Sequence, residues 1–373
     1  MRQSPSAFGR IIRASQIFAS GIRPAATAVV RLFSVSLILA GATVTQVVAG
    51  PPPATSARSG SELAIPTPLE GKLRILVVPA RWADDTDSEP VTQARIAELM
   101  TIVRAYYLEA SYGKLEMLPT VTPWIRLSVP RPTTGCPNIA AIRAVLASSA
   151  IASYKTTTWD RIVVVQPRIA EQCFWHGIAS GPGAWINGVF DAKVIGHELG
   201  HTLGLGHANQ LNCGAEATLV VRACRVVVTG DFYSLMGKWS MGHLIAMHKA
   251  QLGWITPATH RGGVAEYDLA PISLKGGALY AVKVVRGPRT FWIERREPNG
   301  FDAATANPAN GQAGISIRVV DATIGCAESC VLNMSANGDD FLTGAALKVG
   351  QSWSDSGMKI EVLSPGRIRV STP

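Results

Sequence analysis

No aspartate or glutamate occurs before Glu62 in this 373-residue chain, and no cysteine occurs before Cys136. The first absence accounts for much of the net charge of +9. Five arginines (Arg2, Arg10, Arg13, Arg23, Arg31) stand in the first 50 residues with no acid to offset them. Without them 30 basic residues face 26 acidic ones, an ordinary surface that excludes charge as an argument for nucleic-acid binding. There is also no long unbroken apolar run. The stretch "LFSVSLILAGATV" is short and interrupted by serine and threonine, which argues against a membrane span. Its order is that of a secretory signal: arginines, then apolar residues, then small residues at Val47 and Ala49. We expect a signal over residues 1–49 with cleavage after Ala49; the uncleaved anchor is the lesser alternative. Export without stable membrane association follows from this reading. No cysteine follows the apolar run closely, which excludes a lipid anchor, and no internal repeat is present.

What is present begins with six cysteines, at 136, 173, 213, 224, 326 and 330. An even set in an exported chain suits three disulfides, and sequential pairing closes the shortest loops among fifteen arrangements. A thiolate metal site is the rival, but "GCAESCVLN" has no histidine nearby. Residues 50–70, rich in Pro, Ser and Ala, read as a linker. "KLRILVVPARW" reads as a buried strand, residues 92–111 as a helix stopped by Gly113, and "KLEMLPTVTPWIRL" as a strand pair. Residues 138–154 read as one helix, "RIVVVQP" as a central strand and "GAWINGV" as a further strand, with "GPGAWING" a candidate sheet edge for an extended peptide. Past residue 262 the texture changes to short strands divided by Gly, Pro and Asn, ending in a hairpin turned at Ser364-Pro365-Gly366. The fold class expected is α+β over residues 71–262, followed by an all-β sandwich over 263–373.

"VIGHELGHTLGLGHANQ" places three of the seven histidines within eleven positions. On a helix at about 100° per residue, Ile195, Leu199 and Leu203 form an apolar stripe. His197 and His201 then fall one turn apart on the opposite face, with Glu198 beside them. A continuing helix would carry the Cα of His207 about 9 Å past that of His201 and rotate it about 120° away. Three imidazoles can converge on one ion only if the chain breaks and returns. Gly204 can make that break by adopting the left-handed conformation, with Gly206 adding freedom. Three neutral imidazoles leave a tetrahedral zinc ion one open position, the arrangement of a catalytic rather than a structural site. The spacing therefore points to one catalytic Zn2+ held by His197, His201 and His207. Glu198 would be general base and then acid toward an activated water in amide hydrolysis.

"HELGHTLGLGH" resembles the zinc-binding signature of the metzincin clan of metallopeptidases. The clan's tight methionine-containing turn has a counterpart in "GDFYSLMG", where Met236 stands 29 residues after His207. By that resemblance Met236 packs beneath the metal without binding it. Tyr233 is a candidate oxyanion group or extra ligand, against a packed-aromatic reading. Within the clan the chain is similar to the gametolysin family of secreted peptidases over residues 72–373. The pieces that carry this are "YYLEASYGKLEM", "CFWHGIASGPGAWIN" and "HLIAMHKAQLGWI", although the family's usual asparagine is replaced by Ile245. The resemblance implies a metzincin-type zincin domain and extracellular-matrix or cell-wall protein substrates. Two other readings compete: an exported adhesion or carbohydrate-binding protein, and a hydrolase of another amide such as a cell-wall crosslink. His176, His243, His248 and His260 have no ligand spacing. With no cysteine before Cys136, a prosegment thiol switch is not expected.

Overall fold

The computed structural model describes residues 68–86, 89–169, 171, 173–213, 224–238, 240–306, 313–333 and 346–373. The expected signal, and the linker up to residue 67, lie outside the described residues. β1 (Gly71–Arg81) buries Ile75, Leu76, Val77 and Val78 in succession, as a strand covered on both faces requires. It is followed by α1 (Gln93–Ala110), whose N-terminus is capped by Thr92 Oγ1 accepting the Arg95 N–H at 3.1 Å. Gly113, at φ +84°, ends the turn after α1 and donates to the Leu108 carbonyl.

β2 (Leu115–Val121) and β3 (Ile125–Arg126) do not pair with each other, contrary to the strand pair expected there. Both run parallel to β1, β2 along Gly71–Val77 and β3 beside Ala80–Arg81. The helix expected over 138–154 is also divided. α2 (Asn138–Ala147) ends at Ser148, whose extended backbone and hydroxyl start a 3-10 helix over Ser149–Thr156. β4 (Arg161–Gln166), β5 (Gly177–Ser180) and β6 (Gly183–Asn187) complete a mixed sheet of order β2-β1-β4-β6-β5. Only β5 runs antiparallel to its neighbour. One edge of the sheet is therefore β5, opposite β2; "GAWIN", a candidate for the edge in the sequence, is the interior strand β6.

α3 (Ala192–Thr202) follows, and then the chain enters a second sheet. Its members are β7 (Asn209–Asn212), β8 (Arg225–Val227) and, after α4 (Ala246–Gln251), β9 (Ala258–His260). Later in the chain come β10 (Gly263–Asp268), β11 (Ala281–Arg286), β12 (Arg289–Arg296), β13 (Gly314–Asp321) and β14 (Cys326–Leu332). β15 (Ser352–Asp355), β16 (Met358–Ser364) and β17 (Arg367–Thr372) close the described fold. One sheet has the order β8-β7-β14-β13-β12-β11-β9 and another β10-β17-β16-β15. Side chains of both, from Val282 and Ile293 to Trp353 and Ile360, share one core. The division expected at residue 262 runs through the seven-stranded sheet, whose β7, β8 and β9 precede it. The architecture is α+β with mixed sheets and few helices. The disulfides pair sequentially: Cys136–Cys173, Cys213–Cys224 and Cys326–Cys330. Among the described residues no helix is long and apolar enough to cross a membrane.

A buried charge network joins the segment 231–237, α4, β12 and β13. Arg318 pairs with Asp231 and, at 3.0 Å, with Glu294; Arg296 pairs with Glu294 at 2.7 Å and Asp302 at 3.1 Å. The other Glu294 oxygen accepts the Ala246 N–H at 2.6 Å. Nearby, His248 is fully buried, and neither ring nitrogen has a hydrogen-bond partner among the described residues. Burial pushes this imidazole down to about 3, with the Arg318 charge adding to the push. An unfolded histidine titrates at about 6.5, so between these values the unfolded chain binds a proton that the folded chain refuses. The contribution is whole above pH 6.5 and is lost as pH falls toward 3. We expect His248→Met to reduce the fall of stability below pH 6 by about 1.4 kcal/mol per pH unit. Urea unfolding at pH 6.5 and 4.5 measures this, and an unchanged pH slope would refute it.

Candidate metal centre

α3 begins at Asp191, whose carboxylate accepts the Lys193 N–H at 2.7 Å. Ile195, Leu199 and Leu203 are buried as the expected stripe. The helix is covered on its other faces as well, because Gly196 and Gly200 let neighbours approach. Tyr107 on α1 donates its hydroxyl to the Gly196 carbonyl at 2.8 Å, and a Cβ at Gly200 would run into the Met236 sulfur. Gly204 takes φ +80°. Its N–H bonds the His201 carbonyl at 2.9 Å and that of Leu205 bonds the Gly200 carbonyl at 3.1 Å, the paired closure of a Schellman end. Gly206 serves differently from expectation. Its φ is not positive, and it leaves room for the Glu328 carboxylate, whose Oε1 would lie 2.8 Å from a Cβ there.

The break returns His207 to the helix face. His201 Nε2 lies 3.1 Å from His197 Nε2 and 3.2 Å from His207 Nε2. The other ring nitrogens explain what these short distances mean. His197 Nδ1 is 2.9 Å from the Leu235 carbonyl, and His201 Nδ1 is 2.8 Å from that of Leu205. A carbonyl only accepts, so in each neutral ring the proton sits on Nδ1 and the inward Nε2 carries a lone pair. Burial holds all three imidazoles below their ordinary value, which keeps them neutral. Two inward lone pairs 3.1 Å apart with no proton between them repel unless a cation sits among them. In tetrahedral coordination with zinc–nitrogen bonds of about 2.0–2.1 Å, neighbouring ligand atoms stand roughly 3.3 Å apart. The donor set fits such an ion.

Glu198 is 6% exposed, and its Oε2 has no hydrogen-bond partner among the described residues. Burial pushes its carboxyl up to about 8, opposed by the Lys193 charge. Lys193 donates to the Gly237 carbonyl at 2.7 Å, tying the start of α3 to the segment carrying Met236. At the start of β5, Gly177 fits against the acid: a Cβ there would lie 2.6 Å from Glu198 Cγ.

Met236 is fully buried against α3, and its carbonyl accepts the Ala208 N–H at 2.9 Å. Tyr233 is enclosed among Val331 and Phe232, with the Arg296 guanidinium 5.6 Å from its ring centre. That environment favours the packed aromatic over the oxyanion group. His243 bonds Glu109 at 2.8 Å, outside the trio. Three contributors had no signal in the motif: the carbonyls of Leu205 and Leu235, and Glu328. Glu328 comes from β14, more than a hundred residues downstream, and only the pairing of β7 with β14 brings it here.

No protein-family model matches the sequence, and neither does any curated protein. Solved structures that resemble the chain include a metalloproteinase-II from Bacteroides fragilis. It shares 15% identity at TM-score 0.31, over 49% of this chain and 52% of that one. OgpA from Akkermansia muciniphila, in complex with an O-glycopeptide, shares 12% identity at TM-score 0.31, over 82% of this chain and 97% of that one. A chaperone–substrate complex shares 16% identity at TM-score 0.29, and the chain spans about a quarter of its length. The functional reading accordingly rests on the side-chain geometry.

Proposed function

We propose that this chain is a secreted zinc endopeptidase of the metzincin type, similar to the gametolysins, with a C-terminal β region whose seven-stranded sheet also takes in β7, β8 and β9. One observation carries the reading: three inward imidazole nitrogens converge next to a buried carboxylate whose Oε2 has no hydrogen-bond partner among the described residues. A structural site would have a fourth protein ligand, and none of the described Cys, Asp or Glu residues joins the trio. Bound zinc would supply Lewis acidity and a water made acidic near neutral pH. His197, His201 and His207 would hold the ion, the first two fixed by the Leu235 and Leu205 carbonyls. Glu198, whose neutral form burial favours, would be ionised beside a bound cation and could then take a proton from the attacking water and pass it to the departing amine. Met236 sets the floor beneath the helix.

The outer edge of β5 has no strand partner among the described residues and can pair with an extended peptide. Phe174 and Trp175 precede it, 77% and 43% exposed, with ring centres 4.4 Å apart. Their backbone is held in place. Asn187 Nδ2 donates to the carbonyls of Cys173 and Trp175, and Cys173 is bonded to Cys136. Trp175 stands two residues before Gly177, within about 7 Å along the chain, so the pair precedes the edge strand at the point where it packs on Glu198. Phe174→Ser with Trp175→Ser is expected to lower kcat/KM about tenfold for peptides with aromatic side chains. Polar peptides should be cleaved as before, and an equal loss on both would refute the assignment. Export is supported by the three disulfides. The rival, a binding protein with an idle metal site, is weakened by Glu198, a buried acid whose Oε2 has no hydrogen-bond partner among the described residues to offset its desolvation.

The test uses the chain from residue 50. One equivalent of zinc, with cleavage of an unfolded protein that a chelator stops, is the expected result. Metal without cleavage would favour the binding protein, and absence of metal binding would sink the proposal.

A further inference from the structure

β14 is not a plain strand. Residues four apart on a straight strand stand about 13 Å apart, yet the Cα atoms of Cys326 and Cys330 are 5.6 Å apart and their sulfurs are bonded. The register agrees. Cys326 faces Asp321 and Cys330 faces Val319, so Ala327, Glu328 and Ser329 stand against Val320 alone. β14 therefore carries a bulge closed by the disulfide, with Glu328 at its apex.

The apex meets the turn that carries the third imidazole. Glu328 Oε2 accepts the His207 N–H at 3.0 Å and lies 3.7 Å from His207 Nδ1. Gly206 leaves room for the carboxylate, and Asn209 pairs with Cys330 in the β7–β14 ladder. On the other side, Ala208 is bonded to the Met236 carbonyl. The turn is thus clasped between the methionine segment and β14. His197 and His201 are oriented by carbonyls close at hand, whereas His207 lies beyond the helix and depends on what grips its backbone.

We infer that Glu328, presented by the disulfide-closed bulge of β14, is a positioning residue for His207, so that the C-terminal sheet completes the metal centre. The inference rests on the metal-binding part of the function proposed above. A metal ligand whose outer contact is lost typically costs the site 10–100-fold in affinity. A glutamine at this place keeps an oxygen to accept the His207 N–H; an alanine does not.

The experiment compares the chain from residue 50 with its Glu328→Ala, Glu328→Gln and Cys326→Ser/Cys330→Ser variants. Amide exchange over residues 205–208 is read in the metal-free protein, and zinc affinity by competition with a chromophoric chelator. Glu328→Ala should lose protection at His207 and bind zinc about 10–100-fold more weakly. Glu328→Gln should keep the protection and most of the affinity. The cysteine variant should resemble Glu328→Ala; if it fails to fold, the two Glu328 variants, changed at a half-exposed position, still decide. Protection and affinity at parent levels in Glu328→Ala, or glutamine no better than alanine, would overturn the inference. A parent protein that binds no zinc would sink the proposed function instead, and exchange at His207 would then judge the clasp alone.

Discussion

Replacing Glu198 by glutamine is expected to lower peptide cleavage by about 10²–10⁴-fold, the usual share of a general base, while zinc still binds. The direction of the accompanying stability change makes the prediction sharper. A carboxylate that anchors a fold has its oxygens bonded, and its loss destabilises. Glu198 is buried and Oε2 bonds nothing among the described residues, so folding meets its desolvation without the usual return. Glutamine is nearly the same shape and fits beside Gly177 as the glutamate does. Thermal unfolding of Glu198→Gln should therefore occur at the parent temperature or above it. Loss of activity together with a large loss of stability would mean that the acid is structural. Retained cleavage in a zinc-loaded variant would remove Glu198 from the chemistry.

The second large effect concerns stability. Glu294→Ala is expected to destabilise the protein by about 3–5 kcal/mol, because it breaks a fully buried ion-pair network at the acid that both arginines share. Glu294 is fully buried and touches both Arg296 and Arg318 while accepting the Ala246 N–H at the start of α4. Its removal takes from each guanidinium one of its two carboxylate partners and leaves one helix N–H without its acceptor, all away from water. The arginines hold its carboxyl down at about 2 against the upward pull of burial, so the charge is present across the working pH range. Since Arg318 also grips Asp231, the damage should reach the segment that carries Met236. Urea unfolding measures the total, and a loss under about 1 kcal/mol would show that the network is slack.

The parts of the site that could be read directly were those in which every partner is near in sequence. The stripe of Ile195, Leu199 and Leu203, the turn-apart pair His197 and His201, and the left-handed Gly204 all follow from helix geometry over eleven residues. The same holds for β1, whose unbroken apolar run admits few other structures, and for the hairpin of β16 and β17 turned at Gly366. Reading failed where the outcome depends on distant partners. The segment 114–127 has strand character, but alternation cannot say that both halves will lie along β1 rather than on each other. Likewise "GAWIN" has the look of a strand, while its interior place depends on β5 folding back beside it.

Local spacing along the chain determined the donor set, since helix pitch and one glycine suffice to gather three imidazoles and an acid. Tertiary structure alone decided what holds that set in place: the Leu235 carbonyl, the Met236 floor and the Glu328 clasp. Those contacts join residues from 36 to 121 positions apart. No local periodicity encodes such pairs, because a ladder between remote strands forms only when the whole core is packed.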